Sequence, residues 1–204
     1  MPRRAAFKKL EDRKFELTSV CDPMLLQKTG MDSEFDLIFQ TVGWEDFWDI
    51  TEPGSRLLTL EFLCTLKATE TGVEFRLFGK EFSPSWKELS LLLGFHGRCS
   101  TDLDTVLQDF DRTKFWKEIS GKSDFEYPRT NDIHNPTLRF MHRWLGMTLF
   151  PRNDTSTFRI DELKLLYAMI KRKKVSPAKI MIYQWMDVFT RTGSIEYFFS
   201  HSYC

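Results

Sequence analysis

Apolar residues recur along most of this chain at the three- and four-residue spacing of an amphipathic helix. Asp22-Pro23 has the form of a helix start, with Asp as N-cap and Pro at the first helical position. Phe35, Ile38, Phe39 and Val42 then predict a helix over 32–42 that Gly43 stops, and Trp44, Phe47 and Trp48 a short amphipathic turn. Residues 55–66 read as a helix with Leu58, Phe62 and Leu66 on one face. Ser85 with Glu88 matches a capping box, opening a helix through Leu89, Leu92 and Leu93 to Gly94. Residues 101–119 are predicted as one helix, with Leu103, Val106, Leu107, Phe110 and Trp116 inward. Pro136 opens the next, carrying Leu138, Met141, His142, Leu145 and Leu149. Leu163, Leu166, Met169 and Ile170 define another after Arg159. Ser176-Pro177 begins the last, with Ile180, Tyr183, Trp185, Met186 and Phe189 up to Gly193.

One segment breaks the helical period. Val73 to Leu77 alternates apolar and polar, Gly79-Lys80 turns, and Glu81-Phe82 returns, which is a hairpin pattern. The expected fold is mainly α: a multi-helix bundle with one small β-hairpin near residues 73–82. A basic, loose segment over 1–20 is expected to precede a single α-helical domain over 21–204.

Charge changes this picture more than composition does. Lys+Arg and Asp+Glu each number 29, for a formal net charge of +0. That zero hides a division of the domain into an acidic part, 21–128, and a basic part, 129–179. From Arg129 to Lys179 there are 11 basic residues against Asp132, Asp154, Asp161 and Glu162. A basic cluster attracts phosphates by Coulomb attraction and counterion release. Two readings stay open: a polyanion-binding surface, or a face that docks on the acidic half of its own chain. Arg139, His142 and Arg143 lie three and four apart on one predicted helix, and Lys171, Arg172, Lys173 and Lys174 close the next. These seven are the candidate nucleic-acid-binding residues.

Catalytic patterns are absent: no Gly-rich phosphate loop, no HExxH, no Gly-x-Ser-x-Gly elbow. Asp102-x-Asp104 and Asp109-x-Asp111 lack the Gly and Glu of a calcium loop and read as a solvated helix face. His96-x-x-Cys99 and His201-x-x-Cys204 are the four residues that would form a zinc set, although the pairs lie far apart in the chain. The reading is no metal site and no cofactor, with Cys21 and Cys64 as buried, inert thiols. The six Trp and 19 Phe fall at helical spacing and are expected in the core. No apolar run reaches the length of a membrane span. No secretory h-region is evident, and the wide spacing of four Cys suggests a reducing compartment. The expected location is cytoplasmic or nuclear. Arg3, Arg4, Lys8 and Lys9 allow organelle targeting, against which Glu11, Asp12 and Glu16 argue.

Two segments carry a family resemblance. Residues 57–95 read LLTLEFLCTLKATETGVEFRLFGKEFSPSWKELSLLLGF, and 134–170 read HNPTLRFMHRWLGMTLFPRNDTSTFRIDELKLLYAMI. Both resemble the gag-like first protein of Athila-type plant gypsy-class retrotransposons. The hairpin-and-helix part is also similar to the plant mobile domain. The resemblance implies a plant source, an α-rich fold, no catalytic site, self-association into a homo-oligomer and contact with RNA. The CCHC zinc knuckle of gag proteins is missing. A host-adopted remnant that acts on a host protein, without nucleic acid, is the alternative.

Overall fold

The computed structural model describes residues 7–8, 10–11, 19–20, 23–48, 54–150, 154–187 and 202–203. The protein is mainly helical, with ten helices among these residues. Helix α1 spans Pro23–Thr29, α2 Asp32–Val42, α3 Glu45–Trp48 and α4 Arg56–Thr65. Strands β2 (Lys67–Ala68), β3 (Val73–Leu77) and β4 (Lys80–Phe82) follow β1 (Ser19–Val20). Then come α5 (Trp86–Leu92), α6 (Leu103–Val106), α7 (Arg112–Ser120) and a 3-10 turn, Thr130–Asp132. Helices α8 (Pro136–Thr148), α9 (Ile160–Ile170) and α10 (Ala178–Asp187) complete the bundle, and β5 (Ser202–Tyr203) pairs in parallel with β1.

The predicted hairpin is present and has a third strand. β2 adds antiparallel to β3, with Ala68 opposite Val73, and β3 pairs β4, with Phe75 opposite Phe82. A two-residue strand has no period to read, so the pattern alone could not show it. The single helix expected over 101–119 is instead two helices, α6 and α7. Asp102 accepts the Thr105 N–H at 3.2 Å, and Asp111 accepts the Lys114 N–H at 2.9 Å. Each aspartate is an N-cap, satisfying a donor that the helix start leaves open.

Helix α9 is the centre of the bundle. Leu163, Leu165, Leu166, Ala168 and Met169 are all fully buried, so its apolar surface runs nearly all round. It packs on α2, α7 and α8, while α10 packs on α5 and β2. An aromatic cluster fills the space between α2, α3 and α8. Phe39 stacks on Phe35 at 4.7 Å and meets Trp144 edge-on at 4.8 Å, and Trp44 meets Phe95 edge-on at 5.7 Å. The loop after α5 ties the acidic and basic parts together. Trp44 Nε1 donates to Val175 O at 2.7 Å, Ser100 N to Lys174 O at 3.0 Å and Ser176 N to Ser100 O at 2.7 Å. At the front of the chain, the segment expected to be loose contributes Leu10, which is buried in the core. Arg56 Nη2 also donates to Glu11 O.

Candidate nucleic-acid interface

Helix α8 starts where Asn135 Oδ1 accepts the N–H groups of Thr137 (2.8 Å) and Leu138 (3.2 Å), with Pro136 in the first turn. From that start the helical period separates the three residues expected to share a basic face. Arg143 is exposed, and its Nη2 donates to Asn131 Oδ1 at 3.4 Å. Arg139 is half-buried, with Nη1 donating to Ile133 O at 3.2 Å. His142 is wholly buried. A side chain without accessible surface does not reach a phosphate, so His142 leaves the candidate interface. It satisfied two patterns at once: three residues from Arg139 and three from Leu145.

His142 belongs to a buried polar chain instead. Thr130 Oγ1 donates its one proton to Thr155 O at 2.6 Å, so toward His142 Nδ1, 3.0 Å away, it is the acceptor. The imidazole therefore carries its proton on Nδ1. Nε2 then faces Glu162 Oε2 at 3.1 Å. Glu162 Oε2 also accepts the Arg159 N–H at 2.9 Å, and Phe158 stacks on the imidazole at 3.5 Å. Hydroxyl, imidazole and carboxylate in this order resemble a nucleophilic triad in outline. Their placement opposes that use: Thr130 is 1% exposed, His142 and Glu162 0%, and the hydroxyl proton is directed away from the ring. The chain fastens α8, α9 and the 3-10 turn. No local signal pairs His142 with Glu162, twenty residues on.

The lysines that close α9 meet the acidic part of the chain. Lys164 Nζ donates to Asp104 Oδ1 at 2.8 Å, Lys171 Nζ to Glu118 Oε1 at 2.7 Å and Lys173 Nζ to Asp109 Oδ1 at 2.7 Å. The Lys173 hydrogen bond holds the Asp109 carboxyl below the usual range. Burial first, and then the Asp109 hydrogen bond, push the Tyr167 phenol up. For these lysines the intrachain reading of the charge division holds. The paired carboxylates are solvent-exposed, as expected, and also serve as two caps, Asp102 and Asp111, and two ion-pair partners, Asp104 and Asp109. Arg172 is exposed with φ 53, the left-handed region that favours glycine, and Lys174 is half-buried. The two basic sets turn to different partners: Arg139 and Arg143 to the segment around Asn131, Lys171 and Lys173 to α7 and the loop before it.

Metal ligation finds little support. Cys99 is buried and its thiol donates to Val42 O at 3.2 Å, while burial raises its pKa away from the thiolate that binds zinc. His96 is exposed, and its Nδ1 accepts the Arg98 N–H at 3.1 Å. His201 and Cys204 lie outside the described residues, among which no three metal-type ligands gather. Cys64, expected to be buried, is half-buried and lines an apolar hollow with Phe7, Leu57 and Leu60; Cys21 is outside the described residues. Burial pushes the Cys64 thiol up. No helix among the described residues is long and apolar enough to cross a membrane.

Residues 4–172 match the family model described as "ATHILA ORF-1 family". The chain belongs to the ATHILA ORF-1 family. The matched span takes in every element from β1 to α9, including the His142–Glu162 chain and all three lysine–carboxylate pairs except the Lys173 end of one. Membership makes this a retrotransposon-derived, gag-like protein. No curated protein and no solved structure matches it.

Proposed function

We propose that this ATHILA ORF-1 protein is a non-enzymatic structural component of its element, which assembles with copies of itself and contacts RNA through its basic C-terminal third. The family match over residues 4–172 carries the reading. The burial of the one hydroxyl–imidazole–carboxylate chain supports a role without catalysis. Arg143 and Arg172, both exposed, and the half-buried Lys174 supply cations on the basic segment. Leu57 and Phe78 are 73% and 74% exposed; Leu57 stands one helical turn before Glu61, whose carboxylate accepts the Phe78 N–H at 2.8 Å. They offer an apolar surface for self-association.

Light scattering of the purified protein, with and without RNA, at low and physiological salt, tests this. Assembly that grows with RNA and shrinks with salt is the expected result, because phosphate contacts release counterions. A species of fixed mass, indifferent to RNA, sinks it. The three lysine–carboxylate pairs favour a second reading, an interaction protein for a host partner without nucleic-acid binding. That reading predicts no salt-dependent RNA affinity at all.

A further inference from the structure

The three ion pairs between the basic and acidic parts share one arrangement. Their acids, Asp104, Asp109 and Glu118, come from one stretch of chain, and their lysines, 164, 171 and 173, from α9 and its end. The side chains of the lysines are 24–36% exposed and those of the acids 47–85%. The carboxylates therefore lie outermost, and a polyanion approaching this face meets them before it meets an ammonium group. Exposed pairs of this kind are individually weak, so a denser line of charge can displace them.

Two of the lysines also have contacts besides the acids. Lys171 and Lys173 Nζ both lie over the Tyr167 ring, 6.0 and 5.9 Å from its centroid. Lys173 Nζ in addition donates to Val106 O at 3.2 Å. These two ammonium groups stay placed when the carboxylates leave. The acids are equally dispensable to their own elements, because the caps of α6 and α7 are Asp102 and Asp111. The paired acids are thus not the residues that cap these helices, which leaves the contact able to open and close.

We infer that residues 104–118 act as an internal stand-in for a phosphate chain. Their carboxylates occupy the lysine face of α9, and single-stranded RNA binds that face by displacing them. The inference rests on the RNA-contact reading and adds to it a self-inhibiting contact within the chain.

The test is binding of a fluorescein-labelled single-stranded oligouridylate, followed by anisotropy over a salt series. It compares the wild type with the triple variant Asp104→Asn, Asp109→Asn, Glu118→Gln. The triple variant is expected to bind about tenfold tighter or more at low salt. Its plot of log affinity against log salt should keep a similar slope, because bound RNA meets the same three lysines in both proteins. Adding Lys164→Gln, Lys171→Gln and Lys173→Gln should abolish the gain. Glu118→Gln alone, on the regular helix α7, should bind about twofold tighter, and it guards against misfolding of the triple variant. If the wild type binds RNA and neither acid variant binds tighter, the inference is overturned and the RNA reading stands. A gain that survives loss of the three lysines overturns it too, by showing a general effect of net charge. If no variant binds RNA, the RNA reading fails and the inference with it.

Discussion

Removing His142 strands a buried carboxyl. Glu162 would keep the Arg159 N–H and lose its contact with the His142 imidazole. Deleting one member of a buried pair typically costs about 3–5 kcal/mol, because the remaining polar group has no water to turn to. His142→Ala is expected to destabilise the protein by that amount in urea unfolding. In the cycle His142→Leu, Glu162→Gln and their combination, the double variant should lose less than the sum of the singles. A coupling in the range of about 0.5–3 kcal/mol is expected for residues in contact; strict additivity would show that the two side chains do not act as a pair. The same pair shows where legibility ends at this scale. The spacing of His142 fits both the arginine face and the apolar face of α8, and only the carboxylate on α9 decides between them. Arg172 was legible as an exposed cation, but its backbone was not. Lys173 N donates to Ala168 O at 2.8 Å and Arg172 N to Met169 O at 3.3 Å, which closes α9 with Arg172 where glycine is the usual residue. Arg172→Gly should therefore raise stability by about 0.5–1 kcal/mol while weakening RNA binding. A variant that gains stability and keeps full RNA affinity would leave this arginine without a role in binding.

At the scale of the element, legibility followed the side-chain chemistry of helix ends. The capping box at α5 is as the spacing predicts: the Glu88 N–H donates to Ser85 Oγ at 3.3 Å and the Ser85 N–H to Glu88 Oε2 at 2.8 Å. The same chemistry operates at Asp102 and Asp111, masked by apolar spacing across 101–119 that continues through the break between α6 and α7. Two aspartates nine apart, each followed by a donor three residues on, were the available signal. Helix α9 was legible as a helix, yet its outer positions Leu165 and Ala168 are buried as deeply as its inner ones, because neighbouring elements surround it. The box at α5 yields a pH prediction. The Ser85 N–H, and then the Ser85 hydroxyl, hold the Glu88 carboxyl below its usual range. A depressed carboxyl contributes stability in full above the ordinary glutamate value, about 4.3, and loses it as pH falls through the lowered native value. Ser85→Ala removes the hydroxyl and leaves the backbone bond. Thermal melts should therefore show the variant less stable at neutral pH, with the gap narrowing below that range. A gap constant with pH would place the cost in the Ser85 cap alone.

For the whole molecule, the formal charge of zero is the sum of an acidic part and a basic part that attract one another. The sequence showed the division but not its use, because Lys164 and Asp104 are sixty residues apart and nothing local joins them. The structure pairs them across α9, beside Lys171 with Glu118 and Lys173 with Asp109. Attraction of this kind is screened within about 10 Å at 0.1 M salt and about 3 Å at 1 M. The pairs are largely exposed, so their joint contribution is small. Unfolding in urea can measure it, since urea carries no charge and adds no screening. Raising sodium chloride from about 0.05 to 1 M should lower the urea midpoint of the wild type. The triple variant with Asp104→Asn, Asp109→Asn and Glu118→Gln should respond less. Acid should act in the same direction. Lys173 holds Asp109 below the aspartate range and Lys122 does the same for Asp132, so their contributions are complete at neutral pH and lost as pH falls through those lowered values. Below them the basic segment faces neutral carboxyls and the molecule carries a large positive charge. The wild type should then approach the triple variant in stability. Equal salt responses of the two proteins at neutral pH would mean that the apolar contacts of α9, and not these pairs, hold the two halves of the chain together.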